Sequence, residues 1–175
     1  MADVDHKVTL ISGVREILPN RTGGAALQAN LGTLGGIRYT AEEEAFAKAI
    51  QKATCKPEVG MDAEVRPLRE TQRDPAGGST DVGDVSCNVP TISLGAPIDG
   101  KDVPWHSWAV VASGGMSIGH KGLVYASKAL AMTMVDLLEN PQLVADIKAE
   151  FSERKGDYEY EGILPPGPPP LDFQQ

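Results

Sequence analysis

The longest helical period in this sequence runs from about His120 to Leu138 and leads directly into a second helix start at Asn140-Pro141. Leu123, Leu130, Met134 and Leu137 recur at helical spacing, and Ala126 and Ala129 permit close packing. Asn140 reads as a cap with Pro141 at the first helical position. Leu143, Val144, Ile147 and Phe151 form the stripe this last helix buries, and Gly156 ends it.

Upstream, Thr40 followed by Glu43 makes a capping box, and Glu42 to Glu44 suit the positive end of a helix dipole. Ala45, Phe46, Ala49 and Ile50 give the apolar face of that helix, which fades near Thr54. A shorter helix is expected over Ala25 to Leu34, closed by Gly35-Gly36, after a break from Pro19 to Gly24. Val8 to Ile11, Val89 to Leu94 and Trp108 to Ala112 read as strands. Strands alternating with helices predict an α/β domain. The three or four strands expected here fall short of the about five or six of an average sheet. The α/β fold is therefore expected to be incomplete, with an exposed apolar face and an unpaired edge that favour aggregation or dimers. Lys56 to Gly78 is a long loop rich in Pro, Gly and charge, and Pro165 to Pro170 is an extended tail.

Composition narrows the partners. The chain has 175 residues, enough for one domain. Its net charge of -8 repels phosphate and so argues against nucleic acid and against an anionic membrane surface. No apolar run approaches the roughly 20 residues that span a bilayer. The polar start, Met1 to Lys7, has no signal-peptide core, so a cytoplasmic location is expected. Cys55 and Cys87 are expected to be free thiols.

Several stretches carry chemistry-bearing residues. Gly115-Met116-Ser117-Ile118-Gly119 matches a nucleophile elbow, but no histidine follows His120 to serve as its distant base. Tyr125 and Lys128 stand three apart, where a Tyr–Lys dehydrogenase pair needs four, and they read as a half-buried phenol and a solvated amine. Gly77 to Ser86 crowds glycines, hydroxyls and two carboxylates into one loop. That suits either an anion-binding nest or a turn leading to an Asp-capped helix start. His106 lies between Trp105 and Trp108 in a Pro-led turn, placed as a metal ligand, a general base or a structural imidazole.

Taken in order, Leu18 to Thr22, Tyr39 to Glu43, Gly78 to Ser86, Trp105 to Trp108 and His120 to Gly122 resemble the C-terminal half of M20-type metal-dependent amidohydrolases, over roughly Val8 to Glu153. The resemblance implies a catalytic α/β domain that holds two divalent metals, zinc or manganese, and an inserted lid domain that mediates dimerisation. Residues 1–18 correspond to the last lid strand and hinge, 19–160 to the C-terminal part of the catalytic domain, and 161–175 to a Pro-rich tail. His106 matches the family's C-terminal metal-binding histidine, with His120 the competing assignment. Gly77, Gly78, Ser79, Asp81, Asp84 and His120 match positions beside the metals and the substrate. The implied reaction is attack of a metal-activated water on the amide of a small amino-acid conjugate such as p-aminobenzoyl-glutamate.

The sequence also departs from that pattern. None of its histidines is followed two residues later by Asp, and Glu42 to Glu44 belong to the capped helix. The family's His-x-Asp and Glu-Glu segments thus have no counterpart, and a catalytic metal needs three protein ligands. The expected partner is the missing N-terminal half or a separate chain that supplies it, within a homo-oligomer. The rival expectations are a non-catalytic assembly or regulatory subunit, or the product of a truncated gene.

Overall fold

The computed structural model describes residues 4–69, 80–164 and 166–168, and these form six helices with no strand among them. They are α1 (Arg21–Leu34), α2 (Ala41–Ala53), α3 (Val82–Ser86), α4 (Trp108–Gly114), α5 (Ser117–Glu139) and α6 (Pro141–Lys155). The α/β expectation is therefore wrong for the described chain. Val8 to Ile11, expected as a lid strand, has no regular structure and is exposed, and Val89 to Leu94 has none either. β-branched residues favour extended backbone, but a strand needs a neighbour to take its N–H and C=O groups. Trp108 to Ala112 meets no such neighbour and closes its hydrogen bonds locally as α4.

The helix starts follow the sequence more closely. Thr40 and Glu43 form the reciprocal capping box of α2, and Thr54 ends that helix. Of the face expected for α2, Ile50 is buried and Phe46 packs beside it, while Ala45 and Ala49 are exposed and Ala47 takes their place inside. Asn140 caps α6 through Leu143 N, Pro141 follows, and Gly156 closes it at φ 55. Leu143, Val144, Ile147 and Phe151 lie on the packed side of α6.

α1 starts four residues earlier than expected, through the segment that reads as a break in the sequence. Asn20 caps it, its Oδ1 accepting from Gly23 N at 2.8 Å while its Nδ2 donates to Ile147 O at 2.9 Å. Glu150 of α6 accepts from Arg21 N at 2.9 Å and Thr22 N at 2.7 Å. A carboxylate there satisfies two orphan N–H groups and meets the positive end of the dipole. Capping from another helix offsets the poor propensity of Gly23 and Gly24.

α5 packs against α1, α4 and α6, and it does so through its small residues. Gly119, Gly122, Ala129 and Thr133 are buried with Ile118. A Cβ on Gly122 would overlap the Pro97 carbonyl, so only glycine lets that segment lie against the helix. Asn30 of α1 donates to Thr133 Oγ1 at 3.1 Å and to Asp136 Oδ2 at 2.6 Å, which gives the seam a polar register. The Leu123, Leu130 and Met134 face, the strongest period in the sequence, points away from this packing and is exposed. A separate apolar cluster joins Ile50 of α2, Val103 and Ala109 of α4. No helix among the described residues is long and apolar enough to cross a membrane.

Burial raises the Glu150 carboxyl, but the Thr22 and Arg21 backbone N–H groups outweigh it and hold the carboxyl down at about 2. That lies below the 4.5 of an unperturbed glutamate. Its contribution is therefore complete above that value and is lost as pH falls towards the folded one. Glu150→Ala is expected to lower stability by about 1–3 kcal/mol at neutral pH. It should also shrink the loss of stability on acidification, both read from urea denaturation between pH 7 and pH 2.5.

Candidate functional site

The loop that carries His106 is fixed from α2. Gln51 is fully buried, at 0% exposure, where i+4 from Ala47 would call for another apolar residue. Its amide nitrogen donates to Gly60 O at 3.0 Å and Lys101 O at 2.8 Å, and its Oε1 accepts from Gly60 N at 2.8 Å. Lys101 N donates to Gly60 O, and Val103 N to Gly100 O. One side chain thus clamps two turns, and Val103 anchors the second in the apolar cluster with Ile50 and Ala109. The next turn is tied by Ser107 Oγ donating to Pro104 O at 2.6 Å.

His106 leaves this anchored turn with φ 57 and an exposed ring, flanked by exposed Trp105 and Trp108. Asp102, in the same loop, also has φ 62. Left-handed backbone at two non-glycine residues is strain that the surroundings must hold, and such positions gather at functional sites. Asp99 precedes the loop, and burial raises its carboxyl above the ordinary range with Oδ2 unpaired. Neither Gln51 nor Asp99 stands out in the sequence as a site residue. For Gln51 a signal was present, a polar residue continuing the buried 43, 47, 50 series of α2.

The other sequence candidates lie elsewhere. Asp84 lies within the short helix α3, and Asp81 is the residue at its N-cap. Asp81 is exposed and its side chain makes no cap hydrogen bond. Asp84 is half-buried and accepts from Arg15 N at 3.2 Å. Burial and then the Asp84 charge raise the Tyr160 phenol. Ser86 accepts from Leu18 N at 2.8 Å and donates to Gly83 O at 2.7 Å, so α3 docks residues 15–18. Gly77, Gly78 and Ser79 lie outside the described residues.

His120 sits in the first turn of α5, exposed, on a groove of about 480 Å³ shared with Leu34, Arg38, Lys121, Tyr125 and Lys128. Neither His106, Asp81 nor Asp84 lines that groove. Tyr125 is half-buried and Lys128 exposed, as the sequence implied. Lys121 crosses to α2, donating to Glu43 Oε2 at 2.6 Å and to Arg38 O at 2.9 Å. The Lys121 hydrogen bond, and after it the Thr40 backbone, holds the Glu43 carboxyl down at about 2. The nucleophile-elbow match fails on structure too, because helix α4 precedes Ser117 where a strand is required.

Among the described residues, no three His, Cys, Asp or Glu side chains come together to hold a metal. The described residues therefore hold no complete coordination shell. Both cysteines are free, as expected.

Gln51→Leu is expected to destabilise the chain by about 1–3 kcal/mol, because it strands buried backbone groups at Gly60 and Lys101. Hydrogen exchange should rise at Gly60 and Val103 while the amides of α6 keep their protection. Lys121→Met should return the Glu43 carboxyl towards 4.5 in an NMR titration.

No protein-family model matches this chain, and no solved structure matches it. It is 31% identical over 173 residues to a p-aminobenzoyl-glutamate hydrolase subunit of Escherichia coli (strain K12), an alignment covering 85% of this chain and 36% of that protein. The chain thus spans about a third of the length of its relative. Within that span it is a homologue of the p-aminobenzoyl-glutamate hydrolase subunit, the kinship that its ordered motifs had implied.

Proposed function

We propose that this chain supplies one part of a metal-dependent amidohydrolase of the M20 type, acting on the amide bond of a small amino-acid conjugate such as p-aminobenzoyl-glutamate. The observation that carries this reading is the 31% identity to a protein named as that hydrolase. His106 supports it, as an exposed imidazole on strained backbone in a loop held by Gln51 and Val103.

In this reading His106 gives one ligand to zinc or manganese, with His120 the alternative. The remaining ligands and the general base come from polypeptide equivalent to the rest of the relative. Asp81 and the Gly77 to Ser79 stretch stand beside the substrate. Asp84 has a weaker claim, since its carboxylate already accepts from Arg15 N. Because the described residues do not complete a metal site, no catalytic step is assigned to this chain alone.

A non-catalytic assembly subunit is the second reading, favoured by that same lack of a three-ligand cluster. The two are separated by the DNA immediately upstream, or by a neighbouring gene. A His-x-Asp segment encoded there supports the hydrolase, and its absence from both supports the assembly subunit. The purified chain is expected to release no p-aminobenzoate from p-aminobenzoyl-glutamate with zinc or manganese present, and turnover by the chain alone would contradict the half-site. In calorimetry, weak zinc binding by the wild type should be lost in His106→Ala, and equal binding by both proteins removes His106 from the site.

A further inference from the structure

The outer face of α5 carries an apolar stripe from Leu123 to Leu138, interrupted by Ser127. Leu123, Leu130, Met134 and Leu138 recur at intervals of 7, 4 and 4 and fall on one side, with Val124 and Val135 along its edge. Leu123 is 65% exposed, Met134 64% and Leu138 84%. The opposite side is already packed through Gly122, Ala129 and Thr133. A helix apolar on both sides belongs inside a larger fold or a membrane. The membrane alternative fails, because α5 is not apolar enough to span one.

Burial leads the same way. Among the described residues the fully buried side chains are few, and the largest is Ile118. Apolar stripes of the length of α5, about 34 Å, are rarely left uncovered on monomers.

We infer that the Leu123–Leu138 face of α5 is the surface on which the rest of an amidohydrolase fold docks, namely polypeptide equivalent to the part of the relative that has no counterpart here. The choice of occupant comes from the alignment. The relative carries the counterpart of this chain as 36% of its length, so most of that protein is polypeptide with no counterpart here. The N-terminal end of the face opens onto the groove with Arg38, Lys121 and Lys128. The occupant's surface is therefore apolar, with carboxylates at the end that meets this groove. This identity of the cover rests on the half-site reading above, whereas the docking face itself rests on exposure and homology.

The test is co-expression of the full chain with the Escherichia coli protein from which the homologous region has been deleted. A Leu123→Asp/Met134→Asp variant serves as the control. Both side chains are exposed, so the variant alone should keep the wild-type helical circular dichroism and melting temperature. The wild type should co-purify as a one-to-one complex, and the variant should lose at least tenfold in recovered complex. Met134 should resist peroxide oxidation in the complex and react in the isolated chain.

Unfolding of the isolated variant would place those side chains in the chain's own core and overturn the inference. Equal recovery of both proteins, or of neither, would overturn it as well. So would a homodimer of the chain, broken by the same variant, that persists on co-expression, since that makes a second copy the occupant. A complex that forms as expected but neither binds zinc nor hydrolyses p-aminobenzoyl-glutamate sinks the hydrolase reading and leaves the docking face standing.

Discussion

Backbone proximity at the inner face of α5 governs the arrangement of this chain. Gly119 and Gly122 admit the end of α4 and the Pro97 carbonyl, and Ala129 and Thr133 admit α1. Had larger residues stood there, the neighbouring segments would sit farther out and the Asn30 bonds to Thr133 and Asp136 could not form. Small residues give little hydrophobic stabilisation for each contact, because they bury little area. The inner seam therefore relies on hydrogen bonds and on close fit. Apart from Ile118, the larger side chains Leu123, Leu130, Met134 and Leu138 of the same helix are left to face outward.

That division explains both what the sequence made legible and what it hid. Capping chemistry is local, so Thr40 with Glu43, Asn140 with Pro141 and the terminal Gly156 located helix ends correctly. The start of α1 escaped because its stabilising carboxylate, Glu150, lies 129 residues from Arg21. The strands failed for a related reason. Val8 to Ile11 and Val89 to Leu94 have strand propensity, but propensity acts only where a partner ladder exists. For α5 the period located the helix and Ala129 its close packing, but periodicity reveals that a helix has an apolar side without revealing what that side meets. Leu123, Leu130 and Met134 are exposed, because close approach through the small residues decided which side packs.

The candidate site was legible as an ordered set of motifs and not as geometry. His106 stood out by its setting between two tryptophans, and the homology to an amide hydrolase agrees with the motifs that surround it. Its restraint by Gln51 was invisible, because a glutamine at a core position has meaning only once Gly60 and Lys101 are seen to converge on it. Asp84 shows a second limit. The resemblance placed it beside the substrate, and in the structure its carboxylate accepts from Arg15 N on the segment that α3 holds, a contact 69 residues away in sequence.

The strain at Asp102 and His106 bears on how a partial site could work at all. Holding two non-glycine residues at positive φ costs on the order of 1–3 kcal/mol each. A loop free to relax would abandon that conformation. Here the relaxation is blocked at both ends. Gln51 ties Lys101, Val103 is sealed beside Ile50 and Ala109, and α4 begins two residues after His106. The imidazole is therefore presented before anything docks on the chain, so that binding need not supply the ordering free energy of that loop. The clamp is thus the structural feature that fixes where the exposed His106 ring stands.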